Sequence, residues 1–355
     1  MITTEQVLKE NFSFSSSLQD DIWHAQSDAK AYEWWYFDAL SDDGNEAVVI
    51  IFFDNFIFSP RYNSKKEDSK VPAIAFFYYR KGKPVYRVIK EFPLEEFQSK
   101  NTEPFVKIGD CSMSFDSAPY GKGYVIEIKT NFQQNRLLDV KLEWLLIESD
   151  FADTQEAKKR HSHNWNLVAP RADVTGHINV TNTKGKVFDS IHFRGSGYHD
   201  HNLDQRYLPT TVENWLWGRA HFPDATIVFY HYKEIGADEA VTKLYLIKDG
   251  ELLERDAQFE GQQLSRDIFG IKYPERLTFT TEINSRLRVK QNKVIDSSFF
   301  YLRFLSEMTL TLRDGKPRKT VGITEQLSPK TLNYRWLDWL IDMRIARDGK
   351  SALLK

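Results

Sequence analysis

Among six consecutive residues, Gly197, Tyr198, His199, Asp200, His201 and Asn202, four in a row (one Tyr, two His and one Asp) carry side chains able to move protons. Gly195 and Ser196 precede them, and the glycines permit a tight bend or a close backbone approach. A second cluster, His161, Ser162, His163, Asn164 and Trp165, lies upstream. Three kinds of chemistry fit these residue types. The i, i+2 pairs His161/His163 and His199/His201 could join two strands into an imidazole metal site. Asp200 with a neighbouring His and Tyr could instead make a metal-free acid–base network. A carboxyl among aromatics is poorly solvated, so Asp200 is expected to stay protonated near neutral pH. A buried polar network that only fixes a bend would use the same residues.

Two aromatic runs accompany these clusters. Tyr32, Glu33, Trp34, Trp35, Tyr36, Phe37 and Asp38 place five aromatics in seven residues. On a strand, Glu33, Trp35 and Phe37 share one face and Trp34, Tyr36 and Asp38 the other, which predicts burial on both sides or a cavity wall. Further on, Trp215, Trp217 and Arg219 share a strand face, where Arg can stack on indole.

The elements that must position these residues read as strands. Turn signals at Asp43–Gly44, Lys81–Gly82, Gly121–Lys122–Gly123, Lys184–Gly185, Asp249–Gly250 and Asp314–Gly315 separate β-rich runs, the pattern of hairpins. Residues 140–145 and 308–312 alternate as half-buried antiparallel strands, and 226–232 read as a deeper one. Residues 59–70 are a polar loop. Leu332, Trp336, Trp339, Leu340 and Met343 recur at helical spacing, so 329–347 is expected to be an amphipathic helix capped by Ser328 with Pro329 in its first turn. The expected fold is all-β, two consecutive antiparallel barrel domains with a short C-terminal helix. The expected domains are 1–205, carrying the site, and 206–355.

Composition narrows the function. The 355 residues include 25 Phe, 16 Tyr and 9 Trp, enough to fill cores and to line a pocket for a greasy ligand. A net charge of −2 gives no electrostatic case for nucleic acid. The single cysteine, Cys111, excludes an internal disulfide and a thiolate zinc cluster. No secretory signal or membrane-span pattern is present, so a soluble cytoplasmic protein is expected, with peripheral membrane contact left open. Gly-x-Ser-x-Gly, phosphate-loop and zincin motifs are missing, and Gly195-Ser196-Gly197 lacks the strand–helix context of a dinucleotide site.

Taken in order, Tyr32-Glu33-Trp34-Trp35-Tyr36, His163-x-Trp165 followed by Pro170-Arg171-Ala172, Tyr198-His199-Asp200-His201-Asn202 and Trp215-x-Trp217-Gly218-Arg219 resemble the carotenoid 1,2-hydratase (hydroxyneurosporene synthase) superfamily. That superfamily also includes lipocalin-like cyclases and Diels–Alderases. The resemblance implies two linked lipocalin-type barrels and a lyase or cyclase that needs no cofactor or metal. Its hydratases add water to the terminal double bond of an acyclic carotenoid. Carried over by position, the catalytic pairs are His163 with Trp165 and Tyr198 with Asp200. Asp200 would be the acid, Trp165 with Trp34 or Trp35 would face the cation, and His163 or Tyr198 would handle the water. Trp34, Trp35, Tyr36, His199, Asn202, Trp215, Trp217 and Arg219 are the expected substrate-binding set. The expected partner is a hydrophobic isoprenoid or polyene. Leu203–Asp204 departs from the Trp-Gly that follows Asp-His-Asn in many hydratases of this kind. The alternative is a lipid carrier in which the aromatics bind and nothing reacts.

Overall fold

The computed structural model describes residues 12–64, 70–118, 121–132, 135–151, 162–283, 285–313 and 315–346. His161, Asp314, Arg347 and part of the 59–70 loop lie outside the described residues.

The chain divides into two units: Met1–Arg80 with Val85–Tyr207 and Asp338–Lys355, and Lys81–Pro84 with Leu208–Leu337. The first is built from β1 (Phe12–Ser15), β2 (Tyr32–Ser41), β3 (Glu46–Phe53), β4 (Ala73–Arg80), β5 (Lys83–Glu91), β6 (Phe97–Ser99), β7 (Phe105–Ile108), β8 (Cys111–Ala118), β9 (Gly121–Phe132), β10 (Arg136–Glu148), β11 (His163–Asn182) and β12 (Val187–Asp204). Their order in the sheet is β5-β4-β3-β2-β12-β11-β10-β9-β8-β7-β6, with β1 added parallel to β11. Alternation along each strand sends one face inward, and β10 is the plainest case. Leu138, Val140, Leu142 and Trp144 are buried, while Asp139, Lys141, Glu143 and Leu145 are exposed. The sheet rolls around the resulting core. Tyr86 on β5 meets Phe132 on β9 at 6.0 Å, although six strands separate them along the sheet. The Tyr86 hydroxyl also donates to Asp189 on β12 at 3.1 Å.

The second unit is a closed eight-stranded barrel: β13 (Val212–Phe222), β14 (Ala225–Glu234), β15 (Val241–Lys248), β16 (Glu251–Arg266), β17 (Lys272–Thr281), β18 (Arg286–Ser298), β19 (Tyr301–Thr311) and β20 (Arg318–Leu327), with β20 pairing back onto β13. Its core includes Leu216, Phe229, Leu277, Phe279, Leu287, Val289, Met308 and Leu310. The short helix α1 (Leu208–Thr211) precedes it. The all-β, two-barrel expectation holds.

Two local expectations change. Gly121, Lys122 and Gly123 are not a turn but the start of β9, paired with Ala118, Ser117 and Asp116. The single helix over 329–347 is broken. Turns of 3₁₀ helix at Pro329–Asn333 and Arg335–Leu337 lead into the five-residue α2 (Asp338–Asp342), and Ser328 makes no side-chain cap. Leu332 and Ile341 are buried, whereas Trp336 and Trp339 are exposed, so no one face buries the whole apolar stripe. From Asp338 onward the chain groups with the first unit, where β21 (Ile345–Ala346) adds parallel to β5. No helix among the described residues is long and apolar enough to cross a membrane.

Candidate active site

Strands β2, β12 and β11 lie side by side, and register decides what meets. Asp200 stands opposite Tyr36, Tyr198 opposite Asp38, and Asn202 between Trp34 and Trp165. Period-two alternation puts all of these on one face and His199, His201, Trp35, Phe37 and Glu33 on the other. The run 198–202 therefore serves two separate networks.

On the first face, three donors converge on Asp200. Trp165 Nε1 donates to Oδ2 at 3.0 Å, the Tyr198 hydroxyl to the same oxygen at 2.7 Å, and Asn202 Nδ2 to Oδ1 at 2.8 Å. Asp200 is 5% exposed and Tyr198 fully buried. This differs from the lone acid in an apolar pocket expected from sequence, because burial disfavours the charge while the donors favour it. The walls are aromatic. Tyr36 meets Tyr198 edge-on at 6.2 Å, Trp34 stacks on Tyr32 at 5.1 Å, and Trp34 lies 6.2 Å from His163. From β1, Phe14 covers Trp165 at 5.4 Å and Phe12 covers His163 at 6.1 Å. His163 is fully buried; desolvation, only partly opposed by Asp204, pushes its pKa down to about 4, so it is a neutral imidazole at pH 7.

The second face belongs to the core. Phe37 stacks on His199 at 3.8 Å and Trp35 on His201 at 4.6 Å. Both nitrogens of His201 face carboxylates: Nδ1 lies 3.2 Å from Asp21 Oδ1 and Nε2 2.8 Å from Glu33 Oε1. Burial opposes the imidazolium, but these two acids outweigh it and carry the His201 pKa up to about 9. Burial likewise opposes the charges on Asp21 and Glu33, and the histidines beside them hold both below the usual carboxylate range. His199 Nε2 and the Tyr124 hydroxyl also reach Asp21, and His24 Nδ1 reaches Glu33 at 2.7 Å. His24, Glu33 and His201 hold their ligand atoms within 4.8 Å of one another and are the residues that could take a metal ion. The metal site imagined between the 161/163 and 199/201 pairs does not assemble in that form. His161 lies outside the described residues, and His199 and His201 face away from His163.

The expected single constellation is thus corrected. Tyr198, Asp200, Trp165, His163, Trp34, Tyr36 and Asn202 come together, while Trp35 and His199 belong to the core network. Trp215, Trp217 and Arg219 lie on β13 of the second unit. They are buried on the face opposite Leu216 and Ala220 of that barrel's core, with Trp215 6.4 Å from Tyr230. Sequence reading missed Phe12, Phe14, Asp21, His24 and Tyr124. Asp21 and His24 lie in an irregular segment with no periodic signal, and Tyr124 looks like any core aromatic.

The family model for the carotenoid hydratase CrtC matches residues 50–353. The chain belongs to the carotenoid hydratase CrtC family. A "hydroxyneurosporene dehydrogenase" of Chlorobaculum tepidum is 27% identical over 360 residues, covering 96% of this chain and 93% of that protein. An acyclic carotenoid 1,2-hydratase of Thiocapsa roseopersicina is 23% identical over 204 residues, 56% of this chain and 47% of its own length. The chain therefore matches about half the length of that hydratase. In fold it is similar to the crystal structure of CghA with Sch210972, at a TM-score of 0.62 and 13% identity, covering 88% of this chain and 94% of that one. The family match spans both units and includes His163, Trp165, Tyr198 and Asp200.

Proposed function

We propose that the protein is a lyase or cyclase that needs no cofactor and acts on a hydrophobic isoprenoid or polyene by protonating a carbon–carbon double bond. The observation that carries this reading is the convergence of Trp165 and Tyr198 on Asp200 within an aromatic, buried face. Asp200, protonated because burial disfavours its charge, gives its proton to the penultimate carbon of a trisubstituted alkene, and a tertiary cation forms on the end carbon. The donors Trp165, Tyr198 and Asn202 stabilise the carboxylate left behind. Trp165, Trp34 and Tyr36 present ring faces to that cation, each such contact being worth about 2 kcal/mol when desolvated. Water adds to the cation and gives up a proton to His163, a neutral imidazole, and return of that proton to Asp200 closes the cycle. The net change is addition of H₂O with no change of redox state. Where water is excluded, an internal double bond attacks the cation instead, and the cyclised cation loses a neighbouring C–H proton to His163, leaving a cyclic isomer.

The name of the Chlorobaculum relative denotes a redox reaction, whereas the residues around Asp200 suit proton transfer. Incubating the purified protein with an acyclic carotenoid in H₂¹⁸O tests it, with one ¹⁸O expected in a tertiary alcohol or, for cyclisation, an isomer of unchanged mass. Recovery of every bound polyene unaltered would mean a carrier.

A further inference from the structure

The second unit carries a predominantly basic face beside an apolar tip. β16 is the longest strand of its barrel, at 16 residues, and ends in the turn 267–271. That turn is built rather than loose. Asp267 Oδ1 accepts the amides of Phe269 at 3.1 Å and Ile271 at 2.8 Å, so the one acid at the tip is used internally. Ile268 is 88% exposed, Leu264 73% and Phe269 36%.

Behind the tip, Arg266 pairs in register with Lys272, Arg276 with Lys290, Thr278 with Arg288 and Thr280 with Arg286. Leu277, Phe279, Leu287 and Val289 face the barrel core, which turns all six cations outward. All six are exposed, and none makes an ion pair among the described residues. Glu260 on β16, Glu275 on β17, Glu282 in the turn after β17 and Glu307 on β19 border this face, so six cations stand against four acids in a chain whose net charge is −2.

We propose that this face and its tip dock on an anionic lipid bilayer, with Ile268 and Phe269 entering the interface and the six cations lying against headgroups. An apolar tip at one end of a basic strand face matches the two layers of a membrane surface when that face lies along it. Nucleic acid would satisfy the cations but give the tip no apolar environment. A second copy of the chain would set like charge against like. The inference stands apart from the reading of Asp200.

Flotation of the full chain with vesicles of phosphatidylcholine, alone or mixed with phosphatidylglycerol, tests it. Binding is expected on the mixed vesicles only and to weaken with salt. Ile268→Asp with Phe269→Asp should weaken it tenfold or more, about as should Lys272→Gln with Arg276→Gln, at about fivefold per cation. Both variants should keep the wild-type circular dichroism and melting point, since the changed side chains lie outside the core. Equal binding to neutral vesicles, no binding at all, or variants that bind as wild type would overturn the proposal. So would the same substitutions abolishing self-association or RNA binding while leaving vesicle binding intact.

Discussion

At the scale of single residues, alternation is what separates the acid from the histidines beside it. Tyr198, Asp200 and Asn202 point one way and His199 and His201 the other, so neighbours in sequence have unrelated tasks. His201 is a buried cation held between two acids, and its effect on stability has a definite sign. Its folded pKa, about 9, lies above the ordinary imidazole value of about 6.5. The stabilisation is complete below pH ~6.5 and is lost as pH rises through about 9. His163 acts at the other end, because its pKa of about 4 makes stability fall as pH drops from ~6.5 toward 4. Melting temperature should therefore decline from pH 6.5 to 9 in wild type, and His201→Gln should flatten that limb. The same variant should lose about 3–5 kcal/mol at pH 7 in chemical denaturation, since Asp21 and Glu33 are left buried and uncompensated. The two faces of residues 32–38 were legible from spacing alone, whereas the pairing of Trp165 with Asp200 was suggested only by the resemblance to a known family. Asp21 was legible from neither, because it reaches His199 and His201 from an irregular stretch.

At the scale of elements, the juxtaposition of Trp165 with Asp200 depends on two irregularities in the β11–β12 ladder. The register shifts by one residue between Asn166 and Ala169 and again between Ala169 and Ala172. Extending the regular pairing of Ala172 with Gly197 would set Trp165 opposite Asp204; the shifts bring it to Asn202 instead. Pro170, which has no amide to donate, lies in the second irregular stretch. The strands and their faces were legible in the alternation of residues, but this offset was not, since hydrophobic alternation carries no information about bulges. The β2–β12 contact is as demanding. A Cβ at Gly195 would come within 2.0 Å of the Leu40 carbonyl oxygen, which is backbone and has nowhere to go. Gly195→Ala should cost about 3 kcal/mol in urea unfolding. Gly185→Ala, in a turn at φ +80° with open space around it, should cost about 1.

At the scale of the whole molecule, hairpin signals were enough to anticipate two barrels, and each unit has its own core. The C-terminal stripe misled because helical spacing was read as one helix, while the chain buries Leu332 and Ile341 in separate short turns. Phe279 is central to the second core, 4.4 Å from Phe229 and 5.3 Å from Phe259. Phe279→Ala should cost about 3–5 kcal/mol, read as faster amide exchange in β16–β18. Net charge was the least informative global quantity: a value of −2 averages over a face bearing six cations.

The most direct measurement compares wild type and Asp200→Asn on an acyclic carotenoid in D₂O, with the amount of bound carotenoid matched. Wild type should give product carrying one deuterium on the penultimate carbon. Asp200→Asn, which keeps the side-chain shape but has no acidic proton to give, should lose about 10²–10⁴ in turnover. Turnover and deuterium content unchanged by Asp200→Asn would contradict the account.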